Sequence, residues 1–234
     1  MNTQDRSFGQ VVLDLIYPLR CSGCGEVIPG MLDSFCLECL SRLQPLDYHH
    51  YTDNPLSRHF VGRCKVELSA ALFGYIPGGC VQQIIHDVKY RRKMRLGRFL
   101  GRWLGRHLQR SMGYRQIDVI IPVPLHKRRQ RKRGYNQSSL ICEGIADQLQ
   151  CNVLENGLER IRKTPSQTDL NRFERHRNMK NAFWPNEELL RYDHVLLVDD
   201  VVTTGATLEA CILAIKAEKD MKVSIGTVAL GGAF

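Results

Sequence analysis

Four apolar residues, Val195, Leu196, Leu197 and Val198, lead directly into two aspartates, Asp199 and Asp200, and then into the small, hydroxyl-rich stretch VVTTGAT. A short apolar run of this kind predicts a buried strand over 194–198 and a turn over 199–205. Renewed apolar spacing then predicts a helix over 207–218 and a strand over 223–230. Strand, helix and strand in that order predict a parallel crossover, and hence an α/β core.

Upstream, VIIPVPL after Asp118 predicts a second buried parallel strand that runs out into a loop. A strand over 66–75 is closed by the turn residues Pro77, Gly78 and Gly79. Ile84, Ile85, Val88, Leu96, Phe99, Leu100, Trp103 and Leu104 recur at helical spacing, predicting two helices over 81–110 with a break at 91–93. Gly97, Gly101 and Gly105 add a strip that permits close backbone packing. Asn136 can cap a helix running to Leu149, with Leu140, Ile141, Ile145 and Leu149 inward. A further strand is expected within 151–158, and the polar stretch 164–183 reads as a long loop entering a short helix. At the amino end, Phe8, Val11, Val12, Leu15 and Ile16 form one amphipathic stripe, interrupted by Asp14, that reads as a docking helix rather than a signal peptide. No apolar run approaches the roughly 20 residues of a membrane span.

Cysteines divide the chain further. Cys21, Cys24, Cys36 and Cys39 form two C-x2-C pairs with Gly23, Gly25 and Gly30 beside them for tight turns, the pattern of a structural zinc site with no open position. The alternative is two unrelated cysteine pairs. Nine cysteines in all, with the other five scattered singly, fit a reducing cytoplasm better than a secreted disulfide framework. Residues 1–50 therefore read as an amino-terminal helix and four-cysteine zinc finger, and 51–234 as the main domain. Pro45 and the polar stretch 47–58 read as a linker or an irregular connection between them.

Charge is placed unevenly. Between Lys89 and Arg133 there are sixteen Lys or Arg against one acid, Asp118, a local balance of +15; the whole chain carries +9, so the remainder carries −6. Such a surface attracts polyanions, nucleic acid or a diphosphate. Arg95, Arg98, Arg102, Arg106 and Arg110 line one strip of the second helix without an acid at i±4. Arg131, Lys132 and Arg133 extend the candidate nucleic-acid set, and Lys127, Arg128 and Arg129 stand just after the strand at Val119.

Two carboxylates at the carboxyl end of a buried strand point into the crevice where open α/β sheets bind ligands. Val202, Thr203, Thr204, Gly205, Ala206 and Thr207 then offer hydroxyls and helix-start N–H groups to a phosphate. A ribose phosphate satisfies both parts, with hydroxyls on Asp199 and Asp200 and phosphate in the turn.

The segment 195–207 resembles the phosphoribosyl-diphosphate signature of type I phosphoribosyltransferases. Together with the finger, PVPLHKRRQRKRGYNQ and the block from Gln167 to Phe183, the chain resembles the ComF/GntX family over nearly its whole length. That resemblance implies a parallel-sheet phosphoribosyltransferase core with a variable hood, here 56–79. It also implies magnesium beside a leaving diphosphate, for which Lys127, Arg128 and Arg129 are candidates, and a place in natural competence, the uptake of DNA for transformation. Arg133, Gly134, Asn136 and Gln137 match the family's R-G-(F/Y)-N-Q block, and Gln167, Arg175 and Asn178 a later polar one. Three roles follow: a magnesium-dependent enzyme, a single-stranded DNA-binding module that keeps the pocket, and a zinc-stabilised scaffold for DNA-uptake partners.

Overall fold

A computed structural model of the chain describes residues 18, 20–28, 35–160 and 182–232. The stripe from Phe8 to Ile16, Gly30, and the polar residues Gln167, Arg175 and Asn178 lie outside the described residues.

Five strands form one wholly parallel sheet: β1 (Ser69–Tyr75), β7 (Lys222–Gly231), β6 (His194–Val202), β2 (Val119–Pro122) and β3 (Asn152–Val153), in that spatial order. Parallel sheets are covered on both faces, which is why β2 and the first half of β6 read as continuous apolar runs. Alternate side chains then sort to opposite layers. Ile120, Leu196 and Val198 pack toward α3 (Cys80–Tyr90), α4 (Met94–Leu108) and α6 (Gln137–Leu149). Val119, Ile121, Val195 and Leu197 pack toward α7 (Ala206–Glu218) and the short α2 (Pro55–Arg58). A two-stranded antiparallel ribbon, β4 (Leu158–Arg160) with β5 (Phe183–Pro185), joins the second layer. Among the described residues no helix is long and apolar enough to cross a membrane.

The glycine strip of α4 permits close packing against α6. A Cβ on Gly101 would stand 2.2 Å from the Ile141 carbonyl oxygen, and one on Gly144 2.2 Å from the Arg98 carbonyl oxygen. The two helices therefore touch backbone to backbone.

The strand expected over 66–75 forms as β1, within the expected hood, and pairs with β7 in the main sheet. Three other expectations change. The stretch 47–58, expected as a linker or an irregular connection, is an ordered connection, because Asn54 accepts from the Leu56 and Ser57 N–H groups and donates to the Tyr48, Tyr51 and Ser69 carbonyls. The strand expected within 151–158 shortens to Asn152–Val153, and the chain then leaves the sheet for the ribbon. Finally, β6 runs to Val202 instead of turning at Asp199, because β7 keeps supplying backbone partners as far as Leu230.

The finger shares the first core with the sheet. Cys21, Ile28, Phe35, Cys39 and Leu43 pack in one cluster with Phe73, Val81 and Ile84, and the Phe35 and Phe99 rings lie 5.9 Å apart. Its helix α1 (Leu37–Arg42) is capped by the Cys36 sulfur itself.

Candidate ribose-phosphate site

Strand β2 ends with Pro122 opposite Val198, while β6 continues for four more residues with β7 as its only strand partner among the described residues. Asp199 to Val202 are therefore extended but open on the β2 side. Asp199 Oδ1 accepts from Ser138 Oγ at 3.2 Å and from the Asp200 backbone N–H at 2.9 Å. Ser138 is buried in the first turn of α6. The Asp200 side chain is almost wholly buried, and its Oδ2 lies 3.0 Å from Lys89 Nζ in the last turn of α3. That contact is an ion pair without hydrogen-bond angles, so Asp200 Oδ2 keeps no hydrogen-bond partner.

Burial and the neighbouring Asp200 charge push the Asp199 carboxyl up to about 7, against the opposing pull of the Asp200 N–H, Lys89 and Ser138. A carboxyl raised in the folded state loses stability as pH climbs from its unfolded value near 4 toward 7, the reverse of an ion-paired acid. A buried carboxyl raised by a neighbouring acid is a common property of functional sites.

After Val202 the chain turns through Thr203, Thr204 and Gly205 into α7. Gly205 sits at φ +72°, and a Cβ there would meet the Phe60 ring at 3.1 Å, so the turn demands glycine on two counts. Thr203, Thr204, Ala206 and Thr207 are exposed around a cradle of about 40 Å³ that Asp199 and Val202 also line. The first N–H groups of α7 have no intrahelical partner and carry the positive end of the helix dipole. Arg63 braces the turn from behind: Nη1 donates to the Thr204 carbonyl at 3.0 Å and to the His59 carbonyl at 2.9 Å, while Nη2 pairs with Glu209.

The R-G-Y-N-Q block surrounds this crevice as a brace. Arg133 Nη1 donates to Gln137 Oε1 at 2.7 Å, with its guanidinium 5.0 Å from the centre of the Tyr90 ring. Tyr135 Oη donates to the Val88 carbonyl. Asn136 donates to the Val123 carbonyl at 3.0 Å and accepts from the Ser138 N–H at 3.1 Å. The block ties together the end of α3 that carries Lys89, the exit of β2 and the start of α6 that carries Ser138. Gly134, at φ +84°, ends the helix before it.

The remaining basic residues separate into two sets. HKRRQRKR is not a loop: α5 (Lys127–Arg133) is capped by His126, and Lys127, Arg128, Arg129, Arg131 and Lys132 are exposed on it. The ladder on α4 instead faces α6. Arg98 pairs with Glu143, Arg102 Nη1 lies 3.8 Å from Asp147 Oδ2, and Arg106 Nε donates to Gln148 at 3.4 Å; Arg95 is exposed. The acids missing at i±4 are supplied by the neighbouring helix.

In the finger, the Sγ atoms of Cys21, Cys24, Cys36 and Cys39 all lie within 4.8 Å of one another. Cys24 and Cys36 Sγ are 3.8 Å apart, the edge of a tetrahedron with zinc–sulfur bonds of about 2.3 Å. Gly23 and Cys36 N–H groups both donate to Cys21 Sγ at 3.3 Å. Burial alone would raise the Cys21 thiol, but hydrogen bonds from Cys24 first, and from the Cys36 and Gly23 N–H groups, outweigh it and bring it down to about 6, favouring the thiolate a metal needs. The cluster is compatible with structural zinc. Lys93 bridges it to the domain, 3.0 Å from Ser22 Oγ and 2.7 Å from the buried Asp87.

Lys89, Ser138 and Arg63 escape sequence reasoning. Lys89 is one cation among sixteen, and nothing in its neighbourhood marks it as the partner of Asp200. Ser138 directly follows the matched block, which was a usable signal.

Comparison with known proteins fits this geometry. Residues 136–233 match the phosphoribosyl transferase domain. The chain is 38% identical over 131 residues to the DNA utilization protein YhgH of Salmonella typhimurium, and 39% over 128 residues to that of Escherichia coli O157:H7; both alignments cover 53% of this chain and 56% of the relative. It is 42% identical over 93 residues to Competence protein F of Haemophilus influenzae, covering 39% of this chain and 41% of that protein. The chain thus spans about half the length of the curated relatives it matches. The crevice at the end of β6 therefore lies in the segment that matches the phosphoribosyl transferase domain, and the chain is similar to these competence and DNA-utilization proteins.

Proposed function

We propose that the chain binds phosphoribosyl diphosphate, or the ribose phosphate within it, with magnesium, and serves DNA handling in natural competence from the cytoplasm. One observation carries the reading: Asp199, a carboxyl raised by burial, lines a small helix-start cradle with Thr203, Thr204 and Thr207, and the adjacent buried Asp200 keeps its Oδ2 without a hydrogen bond. Asp199 and Asp200 accept from the ribose hydroxyls. Thr203, Thr204 and Thr207 and the N–H groups of Gly205 and Ala206 hold the 5-phosphate. The diphosphate is assigned to Lys127, Arg128 and Arg129, which are exposed at the start of α5 just after β2. Magnesium, when bound, supplies charge neutralisation to the diphosphate. Zinc on Cys21, Cys24, Cys36 and Cys39 stabilises the finger without joining the chemistry.

Calorimetric titration of phosphoribosyl diphosphate with magnesium tests this. Binding is expected in the native chain and lost in the near-isosteric Asp199→Asn/Asp200→Asn variant; an unchanged Kd would sink the proposal. With Asp199 near 7, ionisation rises about tenfold from pH 6 to pH 8, so affinity should increase over that window and level off above it.

A second reading rests on α5, whose exposed cations have no acidic partner among the described residues. In this reading the chain grips single-stranded DNA there, with affinity falling steeply in salt. Pyrophosphate release on mixing with phosphoribosyl diphosphate and an acceptor distinguishes turnover from binding alone.

A further inference from the structure

Two buried histidine nitrogens lack partners on elements that contribute no side chain to the carboxylate crevice, the short 3-10 helix Tyr48–His50 and α4. His49 Nε2 and His107 Nδ1 are both shut away from solvent and make no hydrogen bond. A buried polar group left unsatisfied keeps its full desolvation penalty, so two in contact call for an occupant. Their rings meet edge-on, with centroids 5.2 Å apart at 86°, and do not hydrogen-bond to each other. Asp47 completes the group: a ring nitrogen of each histidine and a carboxylate oxygen all lie within 4.8 Å of one another.

We infer that Asp47, His49 and His107 form a second metal site, a two-histidine, one-carboxylate set for a divalent transition ion of the zinc, cobalt and iron class. Imidazole suits those ions, whereas magnesium and calcium take oxygen ligands. Asp47 and His49 belong to one turn, because Asp47 stands at the start of the short 3-10 helix Tyr48–His50. Its carboxylate is not spent on capping that helix. His107 comes from the last turn of α4, so the ion would staple the 47–50 segment to the helix layer. The segment is anchored to β1, through the Leu46 N–H on the Leu72 carbonyl and Asn54 on the Ser69 carbonyl, rather than to the end of β6.

Ligand atoms sharing an ion at about 2.1 Å stand at most about 4.2 Å apart, so a small rotation of the exposed Asp47 closes the set. That same exposure leaves room for water on the ion, as in three-ligand sites. Burial, with the nearby His50, His107 and Arg110, keeps the His49 imidazole neutral, which is the ligating form. Arg110 opposes a cation, and Asp47 offsets it. The four thiols of the finger are a separate cluster with different, softer donors.

The test starts from the full chain carrying one zinc in the cysteine site, measured by elemental analysis. Titration with Co²⁺ should add a second equivalent with weak visible bands and no thiolate charge-transfer absorption, and Zn²⁺ should displace it while raising Tm. His49→Gln and His107→Gln should each hold one equivalent instead of two. Asp47→Asn, at an exposed position, should keep the fold and weaken the second equivalent at least tenfold. The inference falls if the native chain takes up no second ion, or if Asp47→Asn and His107→Gln bind it as tightly as the native chain; water alone would then satisfy the two rings.

Discussion

Helices α4 and α5 are alike as text and unlike as surfaces. Each strings arginines with no acid of its own, Arg95 to Arg106 on α4 and Lys127 to Arg133 on α5. On α4, three of the guanidinium groups lean on Glu143, Asp147 and Gln148 of α6, drawn there by a backbone contact that only glycine allows. On α5 no side chain is buried, and its cations are exposed apart from the half-buried Arg133, which is engaged with Gln137 and Tyr90. A count of basic residues therefore overstates the charge available to a polyanion, and the excess is found by asking which helix packs against an acidic face.

The largest way to break this contrast is to separate α4 from α6. Gly144→Ala places a methyl carbon where the Arg98 carbonyl stands, and overpacking of this kind costs about 1–3 kcal/mol or more. Thermal or denaturant unfolding should show a loss at the upper end of that range, and an unchanged Tm would mean that the helices do not touch so closely. Next comes the charge itself. Replacing Lys127, Arg128, Arg129, Arg131 and Lys132 by Gln should flatten the salt dependence of single-stranded DNA binding by a slope of about 3.5, at about 0.7 per lost phosphate contact. The matching change of Arg95, Arg98, Arg102 and Arg106 should alter it by less than 1. Equal slopes from the two sets would erase the distinction. The smallest effect lies in the pairing: a double-mutant cycle on Arg98 and Glu143, both partly exposed, should give a coupling of about 0.5 kcal/mol.

Much of the chain could be read in advance wherever the cause is local. The cap at Asn136, the break between α3 and α4, the cysteine spacing and the turn of 203–205 all depend on residues within one or two turns of each other. The end of β6 could not be read this way. Aspartates are poor strand residues, and the apolar run stops at Val198, but β7 keeps supplying partners to Val202. The order of 47–58 escaped for the same reason: Asn54 is tied to the sheet through a contact with the Ser69 carbonyl that no neighbour in the chain announces.

Alone, then, the sequence determined the class of fold, the thiol cluster and the carboxylate–hydroxyl order of the ligand loop, because periodicity and spacing are enforced by covalent geometry over a few residues. Tertiary structure decided which charges are spent and which remain. Lys89 reaches Asp200, Arg63 braces Thr204, Glu143 answers Arg98 and His107 meets His49 only once the layers have packed. Each of those pairings depends on burial and approach between distant segments, which raise or quench a charge far more than the identity of the residues beside it.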